Sequence, residues 1–447
     1  MKYLIFIIAA TGVPPLAFLL YVNRRWMRYA VWGMISAMCL YVGTSINFYS
    51  NEFYRGSSRG MEVSVIHLLA FAVILALLFG RWLKGWFPEW GFRLYAVYFL
   101  LCLPSLAAAA DGLIAWFEVW KMIMLYMVYL AVYSYLNATG NVRAVLAGLA
   151  SFVIFNMLVV VKGHFSGSYQ PSGVFPHQNC MAMAMHLFGT LFFAAYMMNG
   201  VRGRIGKLFT AAGVLAIVAT VRSYSRMALA LMPVAYGVTG LACVAKGRPH
   251  RFWRRLVPFL VCGFLGLSVM MPRIIERFLH APESSGNTRI ELARCAWEMI
   301  KDEPVRGVGI NNWGIKINPP YIYAELAERN TNRGAEFKDG IVETVYLLVC
   351  AECGVPALVA MLCWFGWYWL SCLRLMGRLK GTSLFFIPAG LLGGLTANYI
   401  QSCFEWVLRQ QLNLICLMFT FALLSYLNGN WEKIRKLELE EKGAALK

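Results

Sequence analysis

Residues 143–162 read RAVLAGLASFVIFNMLVVVK. Between Arg143 and Lys162 nothing carries a charge. As an α-helix this run rises about 27 Å, close to the ~30 Å hydrocarbon core of a bilayer. A soluble surface has no use for such a segment, so it reads as a membrane span. Further apolar blocks fall near 3–22, 29–48, 61–80, 93–110, 113–136, 179–198, 207–221, 225–245, 255–272, 342–370, 384–402 and 408–427. Of the 447 residues 60% are hydrophobic and only 14% charged, short of the roughly 25% that covers a soluble domain. The expected fold class is an all-α polytopic membrane protein of about 12–13 transmembrane helices. The count turns on the first block, where Pro14 and Pro15 suit a kinked helix or a re-entrant hairpin.

A net charge of +19 would point to nucleic acid in a soluble protein. Here the basic residues fall on alternate connections: Arg24, Arg25 and Arg28; Arg81, Lys84 and Arg93; Arg143; Arg202, Arg204 and Lys207; the cluster from Lys246 to Arg255; Arg374, Arg378 and Lys380; and the C-terminal tail. Short basic loops stay in the cytoplasm, so the charge calls for no nucleic-acid partner. The N-terminus, segment 163–178, the long loop 273–341 and connection 403–408 then lie outside. Arg24 and Arg25 follow the first block and no small-x-small site precedes them, which argues against a cleavable signal peptide. Four parts are expected: an N-terminal transmembrane bundle (1–272), the outer loop (273–341) with a helix over 288–302, C-terminal transmembrane helices (342–427) and a basic cytoplasmic tail (428–447). Most of the twelve cysteines fall inside spans, as small apolar residues do; Cys350 and Cys353 are read that way rather than as a redox or metal pair. There is no Walker loop, paired aspartate or H-E-x-x-H, so the sequence offers no metal or cofactor motif.

In the outer loop Thr288 and Glu291 have capping-box spacing. Ala293, Ala296, Trp297 and Ile300 repeat at helical spacing up to Pro304. Arg289 falls at the first helical position, on the face expected to turn toward the membrane domain. A cation there is unfavourable unless an anion joins it, so Arg289 is either solvated or salt-bridged, or it binds an anion. Arg306-Gly307-Val308-Gly309 predicts a tight turn with exposed backbone N–H groups.

Ionisable groups buried in a bilayer cost at least ~2.5–3.5 kcal/mol each and usually face an aqueous cavity. Arg222 and Arg226 sit in Arg222-Ser223-Tyr224-Ser225-Arg226, Glu343 where the loop re-enters the membrane, Glu405 and Arg409 beside the last outer connection, and His177 in Phe175-Pro176-His177-Gln178-Asn179. Each has a plain alternative: Arg222 snorkelling, His177 capping the next helix, Glu405 pairing with Arg409 at i, i+4. Together they share one depth on the outer side. Several arginines and a carboxylate there suit a ligand with a diphosphate and a group to be deprotonated.

These segments resemble the O-antigen ligase and O-antigen polymerase superfamily of bacterial inner-membrane glycosyltransferases. Ser223-Tyr224-Ser225-Arg226-Met227-Ala228-Leu229 is similar to the family's Ser-x-Ser-Arg-Gly-Ala segment. Arg289 through Trp297, with Pro304-Val305-Arg306-Gly307-Val308-Gly309, resembles its loop signature. Glu343-Thr344-Val345-Tyr346-Leu347 and Ala351-Glu352-Cys353-Gly354 resemble its His-Asn-x-Tyr-Leu…Ala-Glu-x-Gly helix, and Phe175–Asn179 a Phe-x-His-x-Asn element. The motifs cover about a quarter of the chain, in family order. The loop Asn51–Gly60 also looks like a subgroup associated with exopolysaccharide and exosortase systems.

The resemblance implies a GT-C-like fold in the bacterial inner membrane with a periplasmic active site. It implies inverting, metal-independent transfer of a glycan from an undecaprenyl-diphosphate carrier to an acceptor hydroxyl on a glycan, lipid or protein, by a polymerase or a ligase. Arg226 and Arg289 would grip the diphosphate, with Arg222 and His177 as further binding residues. Glu343 stands where the family's ligases carry the histidine thought to deprotonate the acceptor. It can serve as that base, the favoured reading, orient the sugar by hydrogen bonding, or mark a divergent branch with another base. A transporter or flippase of lipid-linked glycans is the rival reading, but it usually shows internal repeats and matching broken helices, neither of which the sequence displays.

Overall fold

The computed structural model describes residues 2–83, 85–198, 201, 203–245, 249–279, 284–328 and 340–444. The first apolar block forms α1 (Lys2–Thr11) and α2 (Val13–Val22), with Pro14 and Pro15 in the first turn of α2, where the missing N–H is least costly. Helix α3 (Arg24–Ser36) continues through a 3₁₀ turn into α4 (Tyr41–Thr44). Strands β1 (Ile46–Ser50) and β2 (Gly60–Val63) form an antiparallel hairpin. Then come α5 (Val65–Phe79), α6 (Trp90–Cys102), α7 (Gly112–Thr139), α8 (Val142–Phe165), α9 (Gln178–Met198), α10 (Gly203–Arg222), α11 (Arg226–Val244) and α12 (Pro249–Leu279). The long loop carries α13 (Ser284–Asp302), α14 (Trp313–Lys316) and α15 (Tyr323–Leu326), and α16 (Val345–Arg378), α17 (Phe386–Gln401) and α18 (Gln411–Ala444) close the chain.

All thirteen expected blocks contain helix, and among the described residues ten helical spans are long and apolar enough to cross a membrane. The protein is an all-α polytopic membrane protein. Helix α9 runs through its centre, packed on α10 and α17. The alternation of connections is visible as two polar ends. At one end Asn179 reaches Glu405 and Gln170 reaches Ser223; at the other Arg24 reaches Ala138 and Ser383 reaches Glu438.

Local readings need adjustment. The block expected over 29–48 ends in a strand, because Ile46–Ser50 pairs with β2. Helix α12 continues past the expected boundary at 272, and α18 carries the expected tail on as helix, with Trp431 and Ile434 packed on the core. Helix α13 begins at Ser284 rather than Thr288, which places Thr288 and Arg289 inside the helix. Its buried stripe is Leu292, Cys295, Ala296, Met299 and Ile300, packed toward α16. Trp297, expected on that face, is 56% exposed. The polar stretch Glu283-Ser284-Ser285-Gly286-Asn287, which reads as a turn in the sequence, is helix from Ser284 onward, and Glu283 lies outside the described residues.

Helix α16 is broken at Gly354 (φ 81°, ψ 170°), a conformation that essentially only glycine adopts. The break frees backbone carbonyls and an N–H, and the loop pairs with both: Val308 N–H donates to Ala351 O (2.9 Å) and Gly309 N–H to Glu352 O (3.1 Å), while Pro304 O accepts Val355 N–H (2.8 Å). The Gly307–Gly309 amides expected to be exposed are therefore largely committed to the helix. A Cβ at Gly354 would stand 2.1 Å from Val305 O. Gly354→Ala is expected to cost at least about 1–3 kcal/mol from backbone strain alone, readable as a lower thermal midpoint of the detergent-purified protein.

Beside this joint lies a buried ionic cluster. Arg409 donates to Glu118 (2.7 Å) and Glu352 (2.9 Å), and Lys121 pairs with Glu118 (2.7 Å); these four side chains are at most 5% exposed. Ser57 and Ser58 hydroxyls donate to Glu118 (2.8 and 2.5 Å), and Trp313 N–H to Glu352 (3.2 Å). Asn311 ties the hairpin loop to α7 by donating to Ser58 O and Ile114 O (both 2.8 Å). Two acids balance two bases, so the cluster is neutral. It joins the β1–β2 loop, α7, the long loop, α16 and the α17–α18 connection. The i, i+4 pairing of Glu405 with Arg409 does not form, because Arg409 turns inward to this cluster.

Candidate active site

The polar end of the bundle that the sequence reading expects outside brings Arg289 and Glu343 together, although they lie 54 positions apart in the chain. The Arg289 guanidinium stands 3.7 Å from the Glu343 carboxylate, and both side chains are about one-third exposed (37% and 36%). This is a loose ion pair, too long for a hydrogen bond and open to solvent on one side. Arg289 lies one turn before Leu292 on the packed face of α13. Glu343 is fixed by its neighbours: Val342 is fully buried and Ile341 nearly so, while Val345 N–H (3.0 Å) and the Thr344 hydroxyl (3.3 Å) both donate to Ser402 O. Partial burial raises the Glu343 carboxyl above the ordinary carboxylate range, and the Arg289 charge pulls it back in part.

A second carboxylate faces them. Glu405 is 2% exposed and accepts hydrogen bonds from the Asn179 amide (2.7 Å) and the Gln401 amide (2.7 Å). Burial pushes its carboxyl up to about 7, opposed by Gln401 and by the charge of Arg289, while Glu343 pushes it further up. Sequence reasoning grouped Glu405 with the other outer ionisable residues, with Arg409 as its plain partner, but gave it no role in the site. The available signal was Asn179, whose motif sits on the same outer face.

His177 is exposed and lies beside this group in sequence, two residues before Asn179. Its Nδ1 accepts the Asn179 backbone N–H (3.2 Å), so it caps α9 as the plain alternative had it, with Nε2 remaining. Arg226 begins α11 directly after the capping Ser225, which accepts Ala228 N–H (3.4 Å). Tyr224 (φ 48°) makes the turn between α10 and α11. Arg226 is half-buried and forms no ion pair among the described residues. Arg222 turns elsewhere: it bonds His164 and the Tyr224 hydroxyl (3.1 Å) and lies over the Tyr224 ring. The structure thus joins Arg289, Glu343 and Glu405, with His177 adjoining through Asn179, and directs Arg222 to His164. Among the described residues no three His, Cys, Asp or Glu side chains gather as metal ligands would.

A group of this kind can hold an anion on a guanidinium while a partly buried carboxylate accepts a proton. Curated proteins offer no match to the chain. A family model described as O-Antigen ligase matches residues 211–362, the stretch that carries Arg222, Arg226, Arg289 and Glu343. From the middle of α10 to the middle of α16, therefore, the chain is similar to the O-antigen ligase family.

Proposed function

We propose that the protein is an inverting glycosyltransferase of the bacterial inner membrane, acting at its periplasmic face. It moves a glycan from an undecaprenyl-diphosphate carrier to an acceptor hydroxyl. The observation that carries this reading is the Arg289–Glu343 pair at the outer end, inside the matched domain. Arg289, with Arg226, binds the diphosphate and neutralises the charge that grows on it as the glycosidic bond breaks. Glu343 takes the proton of the acceptor hydroxyl as that oxygen attacks the anomeric carbon from the opposite face.

The loose pairing supports a linked sequence of events. In the resting site Arg289 lowers the Glu343 pKa. An arriving diphosphate engages the guanidinium and adds negative charge nearby, and both effects raise the basicity of Glu343. The base is then strongest when the donor is in place. Arg222, held by His164, and His177, capping α9, line the approach as secondary binding groups.

Two pH measurements test the assignment. Transfer needs ionised Glu343, so activity falls as pH drops through its pKa, and the acid limb lies above that of an ordinary carboxylate near 4.3. Glu343→His should retain part of the activity and move that limb toward ~6.5. An unchanged limb in Glu343→His would remove Glu343 as the base. The class of transfer is tested by the carrier-linked glycans of cells lacking the protein. Single repeat units without long chains mean a polymerase, and long carrier-linked chains with a bare acceptor mean a ligase. Unchanged glycans sink both.

A further inference from the structure

A cavity opens at the same end, between the β1–β2 hairpin, the segment before α9 and the start of α18. It encloses about 280 Å³, near the lower limit of roughly 300–1,000 Å³ for small-molecule pockets and suited to one sugar ring. Its lining is polar in a particular way. Asn47, Gln410 and Gln411 supply amides and Glu62 a carboxylate, beside the ring of Tyr41. The Gln411 amide nitrogen is buried and makes no hydrogen bond among the described residues, a cost of about 1–3 kcal/mol unless a ligand satisfies it. Arg59, the cation in the lining, is exposed.

The position is as telling as the chemistry. Pro176 lines the cavity three residues before Asn179, so the two α-carbons are at most ~11 Å apart. Asn179 in turn bonds Glu405 (2.7 Å), whose carboxyl responds to the charges of Arg289 and Glu343. Gln410 follows Glu405 by five residues. One oligosaccharide can therefore occupy this cavity and reach the Glu343 carboxylate. Amides, a carboxylate and an aromatic ring suit a hydroxyl-rich ring, and the carboxylate repels a diphosphate.

We infer that this cavity is a sugar subsite for the acceptor glycan, on the far side of the Arg289–Glu343 pair from the carrier diphosphate. The inference rests on the glycosyltransferase reading. Glu62 and the amides would accept and donate to ring hydroxyls, Gln411 would gain its missing partner, and the ring would hold the next sugar's hydroxyl toward Glu343.

The test uses full-length protein in lipid nanodiscs. The probe is oligosaccharide released by partial acid hydrolysis of the host cell's surface polysaccharide, and undecaprenyl diphosphate is measured in parallel. Gln411→Leu and Glu62→Ala should each weaken oligosaccharide binding about tenfold, the scale of one or two lost hydrogen bonds. Val42→Trp fills the mouth from an exposed position and should do the same without disturbing packing. Undecaprenyl diphosphate should bind all three variants as it binds the parent. Oligosaccharide affinity unchanged in Val42→Trp, or no binding to the parent protein, overturns the subsite. Failure of undecaprenyl diphosphate to bind the parent, with the variant effects on oligosaccharide intact, sinks the donor assignment and leaves the cavity a sugar site.

Discussion

Glu343→Gln is expected to bind undecaprenyl diphosphate as the parent does while transferring glycan about 10²–10⁴-fold more slowly, the usual contribution of a positioned general base. The amide keeps the shape of the side chain and can still donate to a sugar, but it cannot take a proton. Arg289→Ala separates the other half of the pair. It should weaken diphosphate binding and slow transfer about 10²–10³-fold, as loss of one oxyanion donor does elsewhere. It should also move the acid limb upward, because the guanidinium that depresses Glu343 is gone. The comparison is made with purified protein, lipid-linked donor and pH-resolved rates. A Glu343→Gln protein with parental kcat would end the assignment of the base, whatever Arg289 does.

The second large effect concerns folding. Arg409→Met is expected to destabilise the protein by about 3–5 kcal/mol, the cost of breaking a buried ion pair from one side. Glu118 and Glu352, 3% and 1% exposed, would then share only Lys121. Adding Glu352→Gln to Arg409→Met restores neutrality to the cluster, since Lys121 and Glu118 remain. It should recover much of the loss. Thermal unfolding of the single and double variants reads both effects. A single variant as stable as the parent would mean that this cluster does not hold the long loop to the membrane domain.

Much of this architecture is legible in the residues themselves. Each of the thirteen apolar blocks contains helix, because a stretch such as 143–162 has no other way to satisfy its backbone in lipid. The Arg289–Glu343 meeting was reachable from charge at the membrane edge, since both sit at positions where a charge is costly without a purpose. The ionic cluster was not. Glu118 and Lys121 lie inside a long apolar run, and nothing local shows that Arg409 and Glu352, which complete the cluster, stand more than two hundred residues away. Arg409 was misassigned for the same reason, because spacing points to Glu405 while burial and neutrality select Glu118 and Glu352. Trp297 shows the limit of periodicity, since α13 buries Leu292, Cys295, Ala296, Met299 and Ile300 toward α16 and leaves its largest side chain exposed.

The joint at Gly354 has a mechanical consequence. Because Pro304, Val308 and Gly309 pair with backbone groups freed in α16, the loop carrying Arg289 is clamped, beyond α13, to the helix that follows Glu343. Its N-terminal side continues from α12, whose Val257, Leu260, Val261 and Ile275 are exposed. A span in a thinner or thicker bilayer changes its tilt, and α12 would transmit that tilt to α13 while α16 stays anchored. With α12 read from its sequence as a membrane span, the gap between guanidinium and carboxylate is expected to shift with membrane thickness. Transfer rates should therefore respond to the acyl-chain length of the lipids around the protein, a physical dependence that a soluble transferase of the same chemistry would lack.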